Sequence, residues 1–125
     1  MLDKGVFIIN NGAYGRRMIQ IAQTYNIPVI EFISSAVTSL NLRLLQEVME
    51  ENQEKFSHVA VVHHETTTGL LNDISIVASL VKKLRKELIV DAMSSYAAVP
   101  INLEVDTIQY LVASSNKNIQ GMAGI

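Results

Sequence analysis

Short apolar runs alternate along the chain with longer stretches whose apolar positions recur every three or four residues. Val6-Phe7-Ile8-Ile9 is continuous, rich in β-branched residues and closed by Asn10-Asn11-Gly12, which predicts a buried strand. Arg16 to Tyr25 predicts a helix with Met18, Ile19 and Ala22 on one face. Pro28 to Ile33 predicts a second strand. From Leu42 to Phe56, the residues Leu44, Leu45, Val48 and Met49 face one way while Glu47, Glu50, Glu51 and Glu54 face others, as in an amphipathic helix. Val59 to Val62 predicts a third buried strand. Asp73 to Lys86 predicts a helix capped by Asn72 or Asp73, with Lys82, Lys83, Arg85 and Lys86 suiting its C-terminal end. Leu88 to Val90 and Ile108 to Ala113 predict a fourth and a fifth strand.

Strand and helix in alternation predict an α/β fold: three layers, with a mostly parallel sheet between helices. Strands that read as unbroken apolar runs are covered on both faces. In such sheets ligands bind beyond the carboxyl ends of the strands, so the residues after each strand matter most.

Composition narrows the reading. The 125 residues suit one domain, and 49% hydrophobic with 18% charged is a globular balance. A net charge of -2 leaves no basic footprint for nucleic acid. Cysteine is absent, so disulfides and thiolate zinc sites are excluded. The first apolar run is too short for a membrane span and lacks the long apolar centre of a signal peptide. A soluble, cytoplasmic protein is expected, with no membrane or nucleic-acid partner.

Four polar clusters follow the strands: Asn10 to Gly15, His63 to Gly69, Asp91 to Ser95, and Ser114 to Lys117. They should meet at one sheet edge. Asp91, directly after an apolar strand, is either a turn cap or a carboxylate paired with a buried cation. Lys117 is either a solvated lysine or an amine whose pocket favours nucleophilic attack on a carbonyl. An acid and a lysine at neighbouring strand ends are what pyridoxal phosphate (PLP) chemistry requires. The carboxylate keeps the pyridine nitrogen protonated, and the lysine holds the aldehyde and later moves the proton. Tyr14, between two glycines, is either a loop anchor or a ring stacked on a flat ligand. Glu65-Thr66-Thr67-Thr68-Gly69 is a polar turn offering hydroxyls and backbone N–H groups. His63 and His64 are adjacent in an extended segment and point to opposite faces, so they are not expected to share a metal. Arg16-Arg17 reads as a solvated helix start.

These residues resemble a known family. Val90-Asp91-Ala92-Met93-Ser94-Ser95 and Ser115-Asn116-Lys117-Asn118-Ile119-Gln120-Gly121 look like two signatures of the class V aminotransferases, of PLP fold type I. Asn11-Gly12-Ala13-Tyr14-Gly15 and His64 to Asn72 match the same family in the same order. Asn116 before the lysine, where cysteine desulfurases carry histidine, points to the phosphonate branch. The resemblance implies that Lys117 forms the Schiff base with PLP and is the catalytic base. It further implies that Asp91 pairs with the pyridine nitrogen, Tyr14 stacks on one ring face and Met93 lies against the other. Thr66 and Thr68 would sit in the turn that holds the cofactor, and Asn116 near its phosphate.

The reaction so implied is transamination between 2-aminoethylphosphonate and pyruvate, giving phosphonoacetaldehyde and alanine, in a homodimer. The resemblance covers the central part of the family's large domain. An N-terminal phosphate loop and a C-terminal small domain with a carboxylate-binding arginine are absent, and the chain alone is expected to be inactive. The alternatives are a non-catalytic α/β fragment and a class V enzyme of alanine–glyoxylate type. Ala97-Ala98 stands where the family often has paired glycines. Gly121-Met122-Ala123-Gly124-Ile125 stands where it often reads Gly-Val-Pro-Gly-Phe.

Overall fold

The computed structural model describes residues 4–122. Of the sequence features above, Ala123-Gly124-Ile125 lie outside these residues. The elements run β1 (Gly5–Asn10), α1 (Ala13–Thr24), β2 (Val29–Ile33), α2 (Leu42–Glu51), β3 (Phe56–Val62), β4 (His64–Glu65), β5 (Leu70–Leu71), α3 (Ile74–Lys83), β6 (Glu87–Asp91) and β7 (Tyr110–Val112). Five strands form one sheet in the order β2-β1-β3-β6-β7, and every pairing in it is parallel. β4 and β5 form a separate antiparallel pair.

Side chains alternate across the sheet, so each strand serves two layers. Phe7, Ile9, Val59, Val61, Leu88 and Val90 face α2 and α3, where Leu45, Met49, Val77 and Val81 complete a large core. Val6, Ile8 and Ala60 face α1 through Ile19 and Ala22. Phe7 anchors the larger side, with its ring 5.2 Å from that of Phe56 and 6.2 Å from that of Phe32. Truncating Phe7 to alanine would cost about 3–5 kcal/mol. The double coverage expected of all strands holds for β1, β3 and β6. The outer strands are half-exposed, with Ile33, Tyr110 and Val112 open to solvent.

Three helix boundaries differ from the periodicity, each for a tertiary or capping reason. α1 begins at Ala13, so Tyr14 belongs to a helix and not to a loop. α2 ends at Glu51, because Phe56 is needed as the fully buried first residue of β3. α3 ends at Lys83. Arg85 then turns left-handed at φ 54°, so only Lys82 and Lys83 serve the last turn. Asp73 is the cap of α3, accepting the Ile76 N–H at 3.1 Å. Asn72 does other work.

Candidate active site

β1 connects outward to β2 on one side, and β3 lies on the other, so the sheet order reverses between β1 and β3. A crevice opens at such a point, beyond the carboxyl ends of the strands. Asn11 and Asn72 bridge it. Asn11 Nδ2 donates to Asn72 Oδ1 at 2.8 Å, and Asn72 Nδ2 donates to the Val62 carbonyl at 2.8 Å. Both side chains are buried, so each bond satisfies groups that would otherwise be costly.

Glu65 closes the crevice from beneath. It is fully buried, and its carboxylate accepts the backbone N–H of Gly15 at 2.8 Å and that of Tyr14 at 3.3 Å. These are free donors of the first turn of α1, where a negative charge also meets the positive end of the helix dipole. That is why α1 starts three residues earlier than its apolar pattern predicts. A Cβ added to Gly12 would stand 2.4 Å from Glu65 Cδ and 2.5 Å from Oε2, so a side chain there would displace the carboxylate. The Glu65 carbonyl takes Gly69 N–H at 2.8 Å, and Gly69 reverses the chain at φ 75°.

Above this floor lies a cavity of about 230 Å³ lined by Tyr14, Val62, His64, Thr66, Asp91, Met93, Ser94 and Lys117. All four polar clusters of the sequence contribute, from the ends of four elements, α1, β3, β4 and β6, and from the turns after β4, β6 and β7. Asp91 ends β6, in register with Val62 on one side and Val112 on the other. Its Oδ1 accepts the Met93 N–H at 3.0 Å, which turns the chain so that Met93 reaches the cavity. Lys117 lies in the turn after β7 and is exposed. That turn is tied to the Asp91 loop by Asn118, whose Nδ2 donates to the carbonyls of Ser94 at 2.8 Å and Tyr96 at 3.0 Å.

The structure therefore brings Lys117, Asp91, Tyr14, Thr66 and Met93 together. Thr68 and Asn116 are not among the lining residues. Thr68 Oγ1 accepts the Leu70 N–H at 3.4 Å and so shapes the turn, and Asn116 Oδ1 accepts from Ser114 Oγ. Glu65, His64, Ser94 and Asn118 shape the site without having been singled out for that role. Glu65 carries no local sign of its importance, since its partners lie fifty residues away.

His63 and His64 do point apart. His64 lines the cavity with Lys117, whereas His63 lines a different one with Asp73, Ser75 and Asp106. His63 is 5% exposed, and burial holds its imidazole below the usual histidine range, with a further lowering from His64. Among the described residues, no three acidic or histidine side chains are placed to hold a metal ion. No helix among them is long and apolar enough to cross a membrane. A groove of about 290 Å³ beside α1 is larger than the Lys117 cavity but almost wholly apolar; its one imidazole, His58, is held by Glu87 at 3.0 Å.

The family model described as aminotransferase class V matches residues 17–125. The chain belongs to that family. Among class V relatives, a 2-aminoethylphosphonate–pyruvate transaminase of Klebsiella pneumoniae is 42% identical over 119 residues, 95% of this chain and 32% of that protein. A bifunctional phosphonoacetaldehyde hydrolase/aminoethylphosphonate transaminase of Clostridioides difficile is 41% identical over 122 residues, 98% of this chain and 19% of that protein. The crystal structure of an alanine–glyoxylate aminotransferase from Nostoc sp. superposes with a TM-score of 0.88 at 26% identity, covering 98% of this chain and 33% of that one. The chain thus spans about a third of the length of the Klebsiella pneumoniae transaminase and about a fifth of the bifunctional protein.

The class V family implies pyridoxal phosphate, and the lining can be tested against it. That cofactor asks for a carboxylate at its pyridine nitrogen, an amine for its aldehyde and flat or apolar groups for its ring. Asp91, Lys117, Tyr14 and Met93 supply these in one cavity, and Thr66 adds a hydroxyl. The donor set fits.

Proposed function

We propose that the chain is the cofactor-holding segment of a PLP-dependent transaminase whose whole form moves the amino group of 2-aminoethylphosphonate to pyruvate, giving phosphonoacetaldehyde and alanine. The observation that carries this reading is the single cavity shared by Lys117, Asp91, Tyr14 and Met93. The substrate pair is supported by relatives of that name at 39–42% identity.

Bound there, PLP would supply an electron sink for the bond broken at the amino carbon. Lys117 Nζ would hold the cofactor covalently and, once freed, move a proton as general base and then acid. Asp91 would face the pyridine nitrogen, and Tyr14 and Met93 would enclose the ring. Thr66 and Thr68 would hold the cofactor through the Thr turn, and Asn116 would lie near its phosphate. The whole enzyme is proposed to work as a cytoplasmic homodimer.

With a third of its relatives' length, the chain alone is proposed to hold the cofactor without completing turnover. That same coverage favours a second reading, an α/β segment that keeps the fold and binds no cofactor. One experiment separates them. PLP is added to the purified chain and to a Lys117→Ala variant, and visible absorbance is recorded before and after borohydride. A band that requires Lys117, and a reduced adduct on that residue, are expected. Equal spectra from the two proteins would overturn cofactor binding by this chain.

A further inference from the structure

Two hydrogen bonds in the cavity wall bear on where one proton sits. Ser94 Oγ donates to the His64 carbonyl oxygen at 2.9 Å. A serine hydroxyl has a single hydrogen, so in its 3.0 Å contact with His64 Nδ1 the same oxygen must accept. The arrangement that makes both contacts hydrogen bonds puts the His64 hydrogen on Nδ1, and in the neutral ring Nε2 then keeps a lone pair. The ring lines the cavity that also holds Lys117 and Asp91, the two charged groups there. Asp91 is engaged by the Met93 N–H. Val62 and Met93 bring no base, and Tyr14, Thr66 and Ser94 bring hydroxyls. His64 is the one imidazole in the wall.

The chemistry that needs such a group is amine entry, and the inference rests on the transaminase reading. A primary amine arrives as an ammonium ion without a lone pair. Its nitrogen cannot bond to a carbon until one proton has left. We propose that His64 Nε2 takes that proton from the amino substrate. An N–H bond of the ammonium breaks, and its electron pair stays on the substrate nitrogen. A new N–H bond forms at Nε2, and the resulting imidazolium keeps its Nδ1–H on Ser94. The half-exposed ring then passes the proton to solvent. Ser94 acts as a positioning residue, since its hydroxyl alone selects the tautomer.

The tautomer is read first, on the ¹⁵N-labelled full chain without cofactor, from long-range ¹⁵N–¹H spectra of the imidazole. A lone pair at Nε2 of His64 is expected, with a mixture of tautomers in Ser94→Ala. A hydrogen on Nε2 in the unsubstituted chain overturns the proposal. The second measurement follows the Lys117-dependent PLP band after 2-aminoethylphosphonate is added. His64→Gly should slow its decay by about a hundred-fold or more, and free imidazole should restore it. His64→Gln should be slowed without rescue. An unchanged rate in His64→Gly, or a slowed rate that imidazole leaves alone, removes His64 from the reaction and leaves the transaminase reading intact. Absence of any Lys117-dependent band ends both.

Discussion

Oε1 of Glu65 accepts the backbone N–H of Gly15 at 2.8 Å, joining two residues fifty apart in the chain. The partner oxygen takes Tyr14 N–H at 3.3 Å, so one buried carboxylate aims the residue proposed to stack on the cofactor. Glu65→Ala would leave both donors without that partner, and the one on Gly15 is buried. A loss of roughly 2–4 kcal/mol in urea unfolding is expected. Glu65→Gln, which keeps one acceptor, should lose about half as much. A Glu65→Ala protein as stable as its parent would show that these bonds do not hold the helix start.

Gly12 is constrained by space. Gly12→Ala puts a methyl group 2.4 Å from the Glu65 carboxyl carbon, and that carboxylate can yield only by giving up the Tyr14 and Gly15 amides. The expected cost is about 1–3 kcal/mol. In a double-mutant cycle with Glu65→Ala, the two losses should fall short of additivity by more than about 0.5 kcal/mol, because the second substitution removes what the first collides with. Additive losses would place the strain elsewhere.

Asp91→Asn keeps the Met93 N–H bond through its amide oxygen and removes only the charge. The fold should be preserved, as circular dichroism would show. PLP affinity, titrated by absorbance, should fall about ten-fold or more, since an amide cannot keep the pyridine nitrogen protonated. Equal affinity would separate Asp91 from cofactor binding.

His63 gives the fold a pH dependence. Its folded imidazole is harder to protonate than the unfolded one, mainly through burial, and its buried Nδ1 has no hydrogen-bond partner among the described residues. The unfolded chain therefore binds the extra proton first. Stability is full above the unfolded value, about pH 6.5, and falls as pH drops from there toward the folded value. The slope from this one group cannot exceed about 1.4 kcal/mol per pH unit. Urea midpoints across pH 5 to 7.5 would check it, and His63→Gln should flatten that window.

The strands were legible because buried parallel strands write themselves as unbroken apolar runs, as at Val6 to Ile9 and Val59 to Val62. The cavity was legible too, because the strand-end rule points to Asp91 and Lys117 without knowledge of any contact. Phe56 was misplaced because an apolar residue continues a helical stripe as well as it opens a strand, and only the ring of Phe7 decides between them. The true start of α1 was invisible, since the carboxylate that stabilises it comes from beyond β3. Of the two caps the sequence offers α3, Asn72 or Asp73, the role falls to Asp73, because Asn72 is spent on Asn11 and Val62. Short-range pattern carries propensity and burial; it carries nothing about a hydrogen bond between distant residues.

Four backbone amides converge on Glu65: those of Tyr14 and Gly15 on its carboxylate, and those of Thr68 and Gly69 on its carbonyl. The first pair belongs to one wall of the cavity and the second to the turn that forms another. Neither can lose its bonds while residue 65 keeps its place. In deuterium exchange these four amides should behave as one cooperative unit, with a common opening free energy below that of global unfolding. The entrance to the cavity would then breathe as a whole, with both walls released when residue 65, backbone and side chain together, leaves its seat.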